Sequence, residues 1–384
     1  MTIQKSKLNG PQESQWAQEQ PTRLKQGNGY GSPSIKVFGV GGGGSNAVNR
    51  MFKDKIEGVE YYCINTDAQH LEKLDVPNRI PIGQNITRGL GVGGHPELGR
   101  QAAEESRDEL SKLIEGADMV FIAAGMGGGT GTGAVPIIAQ LAKEAGALTV
   151  AVVTKPFKFE NQQRKRNCEE GLTRLENNTD TLIIIPNDRL SQLNENEGED
   201  YTWEDALKLA DSVLAEGIQS IAEVVTVPGE VNVDFADLKT IMGGAGAAWM
   251  SVGRASGENR AIEAARQATK SPLLDIAIDG AKRILFVISG GSTLTLKEVE
   301  QAADSIQGMA DPEANVIFGT VKDLKMDDEL KITLIAASFP LTPDYGEQQN
   351  IIDEIVQQTI GGTRSDEQSD SDVPSFMRTR NYKI

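Results

Sequence analysis

GADMVFIAAGMGGGTGTGA, residues 116–134, is the stretch whose reading decides the fold. An apolar run, DMVFIAA (118–124), passes into the glycine cluster Gly125-Met126-Gly127-Gly128-Gly129-Thr130-Gly131-Thr132-Gly133, and an amphipathic helical pattern over 134–145 follows. A short continuous apolar run is the pattern of a strand covered on both faces. Glycines between such a strand and a helix let the backbone come close to a ligand, and the helix N-terminus aims N–H groups at an anion. The stretch therefore reads as a phosphate loop, with the Thr130 and Thr132 hydroxyls as additional hydrogen-bonding groups.

The pattern occurs twice. IKVFGV (35–40) runs into Gly39-Val40-Gly41-Gly42-Gly43-Gly44-Ser45-Asn46, which also satisfies the dinucleotide fingerprint GxGxxG. A third glycine loop spans Gly89-Leu90-Gly91-Val92-Gly93-Gly94. A Rossmann enzyme needs one rich phosphate loop. Two of them, at the C-terminal ends of neighbouring parallel strands, would wrap a single polyphosphate. No Walker lysine follows either cluster, so the phosphates must rely on backbone N–H groups, helix dipoles and a metal ion.

Outward from these loops, VEYYCIN (59–65), LTVAVVT (148–154) and TLIIIP (181–186) read as further buried strands, with helices such as 96–115 between them. Alternation of strand and helix predicts a doubly wound α/β domain with a mostly parallel sheet. Over 202–226, Leu207, Ala210, Val213, Leu214, Ile218, Ile221, Val224 and Val225 mark one face of a long helix. Strands at 284–289, 315–321 and 330–338, with helices at 233–243, 258–270 and 295–307, predict a second, smaller α/β domain. The expected organisation is a disordered tail (1–33), a nucleotide-binding domain (34–201), a connecting helix (202–228), a C-terminal α/β domain (229–340), a linker (341–371) and a terminal peptide, DVPSFMRTRNYKI (372–384).

Composition narrows the function. Of 384 residues, 38 are basic and 55 acidic, a net charge of −17, which opposes non-specific nucleic-acid binding. Aromatic residues at 5% leave little for a base-stacking platform. Two cysteines, Cys63 and Cys168, build no disulfide framework and suit a reducing cytoplasm, while His70 and His95 are too few for a histidine-rich zinc site. No apolar run reaches the ~20 residues of a membrane span, and the N-terminus is not a signal peptide.

GGGTGTG resembles the signature of the tubulin superfamily, and within it the chain resembles the FtsZ family of bacterial cell-division GTPases. The resemblance covers roughly 35–340 and the terminal peptide. It rests on GVGGGGSNAV (39–48), NTDAQ (65–69), GADMVFIAAGMGGGTGTGA (116–134), TKPF (154–157), IPNDRL (185–190) and NVDFADLKTIM (232–242). It implies binding of GTP and GDP with Mg²⁺, and hydrolysis of GTP by a polymer. Gly42, Gly43, Gly44, Ser45 and Asn46 match the first nucleotide loop, and Gly129, Thr130 and Gly131 the signature loop. Glu160 and Arg164 fall at the ribose contact, Asn187 and Asp211 at the guanine contacts. Asn232, Asp234 and Asp237 match a loop that enters the pocket of the next subunit, where the acidic pair polarises the attacking water. The partners implied are the chain itself, in head-to-tail filaments, and membrane-anchor division proteins such as FtsA, ZipA or SepF through 372–384, with no nucleic acid. The implied location is the cytoplasm, at the midcell division ring.

Without the resemblance, plainer readings stand beside these. Residues 160–166 read as a solvated charged face, Asp211 as a surface charge, and Asn232, Asp234 and Asp237 as helix caps. The rival functions are a filament serving plasmid segregation or cell shape, an NAD-dependent oxidoreductase using the first loop alone, and a non-catalytic polymer. The chain also departs from the family. Val92, Gly94 and His95 replace alanines and an Asn, and Gly94 is expected to loosen that loop. Leu207 stands where an aromatic often stacks on guanine, and Asn161 replaces a common Gly. Trp249 and Arg254 have no reading from sequence, and the linker is short.

Overall fold

The computed structural model describes residues 33–190, 202–227, 231, 233–271, 273 and 278–339. Residues 1–32 of the expected tail, the linker and the terminal peptide lie outside the described residues. The elements are β1 (Ile35–Val40), α1 (Gly41–Met51), β2 (Val59–Asn65), α2 (Ala68–Glu72), β3 (Asn78–Pro81), α3 (Gln84–Thr87), α4 (Pro96–Glu105), α5 (Arg107–Ile114), β4 (Met119–Gly125), α6 (Thr130–Glu144), β5 (Leu148–Lys155) and α7 (Gln162–Glu176). They continue with β6 (Thr181–Pro186), α8 (Asn187–Leu190), α9 (Trp203–Thr226), α10 (Phe235–Met242), β7 (Gly246–Ser256), α11 (Arg260–Thr269), β8 (Arg283–Gly290), α12 (Leu296–Gln307), β9 (Asn315–Lys322) and β10 (Glu329–Ala337).

All strands join one sheet in the order β3-β2-β1-β4-β5-β6-β7-β10-β8-β9. From β3 through β7 every ladder is parallel, β10 runs antiparallel to both β7 and β8, and β8 pairs β9 in parallel. The mixed α/β architecture expected from the alternation is present. The two expected domains share the sheet, which is joined at a short parallel ladder, Thr181–Ile183 against Gly246–Ala248.

Side chains alternate across strands, and in β4 both sets are buried. Met119, Phe121 and Ala123 enter the core beneath α1 and α9, whereas Val120, Ile122 and Ala124 enter the core beneath α4 to α7. This double burial is why these strands read as continuous apolar runs. The first core continues along α9, through Val213, Leu214, Ile218, Ile221 and Val224, to Leu285, Val287 and Ile335 in the second half of the sheet. A third core packs α11 and α12 on Phe286, Ile288, Ile332 and Leu334. Among the described residues no helix is long and apolar enough to cross a membrane.

The structure differs from the sequence reading in identifiable ways. The helix expected over 96–115 breaks at Ser106 (φ −97°, ψ 14°), whose hydroxyl accepts the Gly83 N–H at 3.2 Å. Residues 161–166, read as part of a solvated charged face, are indeed exposed, and they also open a 15-residue helix, α7, capped by Asn161. The eleven-residue strand β7 had no sequence reading at all. Its glycine and alanine content follows from close packing under α11: a Cβ on Gly253 would overlap the Ala264 carbonyl oxygen. The two unusual residues are explained here as well. Trp249 packs edge-on against Phe339 with ring centroids 4.8 Å apart, and Arg254 pairs with Glu216 of α9 at 2.8 Å and Glu329 of β10 at 3.5 Å.

Gly253→Ala is thus expected to destabilise the protein by about 1–3 kcal/mol, the usual cost of overpacking. A lowered urea midpoint with an unchanged slope checks this, and an unchanged midpoint contradicts the packing described.

Candidate functional site

Strand order reverses beside β1: β2 and β3 extend to one side, β4, β5 and β6 to the other. In an open parallel sheet such a switch point leaves a crevice at the C-terminal strand ends. Here the crevice is a cavity of about 600 Å³, within the range of small-molecule sites. It is lined from α1 (Gly41, Gly42, Gly43, Asn46), from the β4–α6 junction (Gly128, Gly129, Thr130, Gly131), from the chain after β2 (Thr66, Asp67, His70) and from the third glycine loop (Gly91, Val92, Gly93). Glu160, Arg164, Asn187, Leu207 and Asp211 complete it.

The two glycine clusters bring two helix starts together. Gly41 has φ +72°, and a Cβ there would sit 2.9 Å from the Gly131 nitrogen. At Gly42 and Gly128 an added Cβ would meet nothing within 4 Å, so their bare backbone borders open space. Neither α1 nor α6 has a side-chain N-cap or an acidic residue in its first turn. Their first-turn N–H groups, which no helix can satisfy internally, are left for an anion, and both macrodipoles favour negative charge at the same place. Among the described residues no lysine lines the cavity. A polyphosphate fits this end through main-chain donors.

The opposite end is built from side chains. Asn187, at the start of α8, is buried, and its Oδ1 has no hydrogen-bond partner. Asp211, on α9, has its carboxyl pushed up to about 6, chiefly by burial, against the lowering effects of the Arg50 guanidinium and of a hydrogen bond from Asn46. Arg50 Nε is itself buried without a partner. A ligand offering donors would satisfy Asn187 Oδ1 and the Asp211 carboxylate together. Leu207 is 40% exposed and lines the cavity beside them. Along the wall, Glu160 accepts the Phe157 N–H at 2.9 Å and pairs with Arg164 at 2.5 Å.

Most sequence-selected residues therefore converge: Gly42, Gly43, Asn46, Gly129, Thr130, Gly131, Glu160, Arg164, Asn187 and Asp211 all line one cavity. Gly44 and Ser45 stand behind its wall. A Cβ on Gly44 would overlap the Ala123 carbonyl oxygen, and the Ser45 hydroxyl donates to the Gly39 carbonyl at 3.2 Å. Asn232 lies outside the described residues. Asp234 and Asp237 do not line the cavity. Asp237 lies in α10 and Asp234 directly precedes it; the C-terminal Met242 carbonyl of that helix accepts the hydroxyl of Thr181 at the beginning of β6, the strand end remote from the cavity. Both are exposed, and Asp234, although at the N-cap position, makes no capping bond.

The third loop is pinned rather than loosened. Asn167 of α7 donates to the Gly94 carbonyl at 3.0 Å and to the Gly127 carbonyl at 3.4 Å, tying two glycine loops to one side chain. Sequence reasoning assigned no role to Thr66 or His70, although NTDAQ ends a strand of the parallel sheet and such ends border the site. Thr66 Oγ1 lies 2.6 Å from Thr130 Oγ1, joining the chain after β2 to the start of α6.

Comparison with known proteins agrees with this geometry. The tubulin/FtsZ family GTPase domain matches residues 34–195, and the FtsZ family C-terminal domain matches 246–340. FtsZ from M. jannaschii, in an empty dimer, is 42% identical, with 80% of this chain and 88% of that one covered and a TM-score of 0.77. The GTPγS-bound protofilament of CetZ2 from Haloferax volcanii shares the fold at 21% identity, 85% and 99% coverage and a TM-score of 0.68. Two glycine-started helices on one cavity, a mostly parallel sheet and matches along both halves of the chain lead to one assignment: it is a GTPase belonging to the FtsZ family.

Proposed function

We propose that this chain is a self-assembling filament protein that forms the cytokinetic ring at the bacterial division site, in the cytoplasm, and hydrolyses GTP where one subunit stacks on the next. The observation that carries the reading is an incomplete site. Among the described residues the carboxylates lining the cavity are Asp67, Glu160 and Asp211. Asp67 caps α2 by accepting the His70 N–H at 3.1 Å, Glu160 is held by Phe157 and Arg164, and Asp211 sits at the far end beside Asn187. None is free to polarise a water at the phosphate end. Asp234 and Asp237 are exposed carboxylates at the start of α10, outside the cavity lining, and we place them toward the end opposite the cavity. Stacking subunits head to tail would bring that end of one copy over the cavity of the next. Such a contact is heterologous and generates a filament. The relatives described as a dimer and as a protofilament support self-association.

In this reading guanine donates N1–H and its N2 amine to the Asp211 carboxylate, and Asn187 Oδ1 accepts a further donor from the ligand. The first turns of α1 and α6 hold the phosphates. Among the described residues no group of three or more His, Cys, Asp or Glu side chains could hold a metal. A Mg²⁺ ion fits as one carried by phosphate oxygens and water, its usual mode in nucleotide sites. When bound it supplies neutralisation of charge on the transferring phosphoryl group. Residues 372–384 would dock a membrane-anchor protein through Val373, Pro374, Phe376 and Met377, with Arg378 and Arg380 adding charge.

Four outcomes are expected. Only the ionised Asp211 carboxylate accepts both guanine donors, so GDP affinity should fall as pH drops through the raised value near 6. Between pH 7 and 5 the loss should be about tenfold by proton linkage. Calorimetric titration checks this, and an equal fall in Asp211→Asn would refute the attribution. Asp237→Ala should bind GTP normally and lose about 10²–10⁴-fold in hydrolysis, the usual worth of a positioned general-base group. Specific activity of the parent should also rise from near zero above a threshold protein concentration. Full phosphate release from dilute, demonstrably monomeric protein would overturn the shared site. Removing 372–384 should preserve GTP-driven light scattering but abolish septal recruitment in cells.

A further inference from the structure

His70 takes no part in the proposed chemistry, yet it lines the cavity and touches two amide side chains that face it. The donor and acceptor sense of each contact is fixed by its neighbour. Asn65 Oδ1 accepts the backbone N–H of Thr66 at 2.9 Å and of Asp67 at 3.3 Å. Its amide nitrogen must therefore be the atom turned to His70 Nδ1, at 3.4 Å. An amide nitrogen only donates, so Nδ1 is the accepting nitrogen and the ring proton resides on Nε2. Nε2–H then donates to Asn46 Oδ1, at 3.1 Å. With its oxygen occupied, Asn46 is left with its amide nitrogen to interact with Asp211, which lines the same cavity, and that interaction lowers the carboxyl against the effect of burial.

We propose that His70 is a positioning residue for nucleobase specificity: as the neutral Nε2–H tautomer it passes the fixed orientation of Asn65 to Asn46, and so sets the Asp211 carboxylate to accept two donors from the base. The inference rests on Asp211 reading guanine. A doubly protonated ring would direct Nδ1–H at the Asn65 amide nitrogen, two donors in conflict, and break the relay at its first link. Burial also lowers the His70 pKa, outweighing Asp67, which raises it, while Lys73 lowers it further. Without the imidazole, Asn46 Oδ1 loses its donor, and the amide loses the anchor that ties it to Asn65. No first-turn N–H of α1 or α6 takes part in these contacts. The relay is thus specific to the base.

The test is calorimetric binding of GDP, inosine diphosphate and ADP to the full chain at neutral pH. Inosine lacks the N2 amine, so the ratio of GDP to inosine diphosphate affinity reads the two-donor contact. His70→Leu should lower GDP affinity by about tenfold, the worth of a hydrogen bond to a charged group. The effect on inosine diphosphate should be smaller, and ADP should be unaffected. His70→Gln, whose amide nitrogen reaches near the Nε2 position, should keep most of the discrimination. An equal loss for all three nucleotides in His70→Leu, or no loss for any, would overturn the proposal. Asp211→Ala run in parallel separates the two levels. If it preserves the parent ratio, the guanine reading falls and this inference with it. If it collapses the ratio while His70→Leu preserves it, the relay alone falls. Nitrogen-15 spectra of the two histidines in the unsubstituted protein provide a measurement independent of folding in any variant. An Nε2–H tautomer at His70 is required, and an Nδ1–H tautomer refutes the relay.

Discussion

The first turns of α1 and α6 lie closer than side chains would permit, and the rest of the site is arranged around that approach. Gly41 faces the Gly131 nitrogen, Gly131 faces the Gly125 carbonyl, and Gly44 is pressed on the Ala123 carbonyl. Each of these contacts is backbone against backbone. They are possible because β1 and β4 are adjacent parallel strands in register, Ile35 against Met119 through Val40 against Ala124. The strands hold that register because both of their faces are buried, one beneath α1 and α9, the other beneath α4 to α7. Hydrophobic burial therefore fixes the spacing of two helix dipoles, and the spacing fixes where a polyphosphate can be held.

The base end obeys a different rule. It gathers side chains from α1, α8 and α9, and it leaves polar groups poorly satisfied: the orphan Asn187 oxygen, the orphan Arg50 nitrogen and a carboxylate made harder to ionise by burial. An unpaired buried polar group costs about 1–3 kcal/mol. A ligand that supplies the missing partners recovers that cost, which couples occupancy to stability. Because α9 carries Asp211 near one end and packs Val224 beneath Gly319 of β9 near the other, the same helix joins the nucleotide cavity to the second half of the sheet.

Much of this was legible in the sequence because it depends on main chain. The central strands announced themselves as doubly buried apolar runs, and the glycine clusters marked the only places where strand ends and helix starts could meet a phosphate closely. The resemblance then supplied what pattern could not, since Asp211 on a helix face looks like any solvated acid until α1 and α8 are packed beside it. Three features escaped for definite reasons. β7 is written in glycine, alanine and serine because α11 lies on it, and small residues carry no strand signal. Asn161 looked like a departure and is the cap of α7. His70 acts only through Asn65 and Asn46, neighbours set by the turn after β2 and by α1, so no spacing along the chain reveals it.

Holding phosphate with peptide N–H groups has a genetic consequence. No substitution other than proline at Gly42, Gly43 or Gly128 can delete a phosphate-facing donor of this kind, because every other replacement leaves the peptide N–H in place. Every replacement instead adds atoms to the border of the cavity, where at Gly42 and Gly128 nothing stands within 4 Å. Damage at this end must therefore come as obstruction, graded by the size of the newcomer. With no lysine among the described lining residues, lysine acylation finds no target on that part of the cavity wall. The base end has the opposite vulnerability, since Asn46, Asn187 and Asp211 can each be lost to a single codon change that removes a functional group and obstructs nothing.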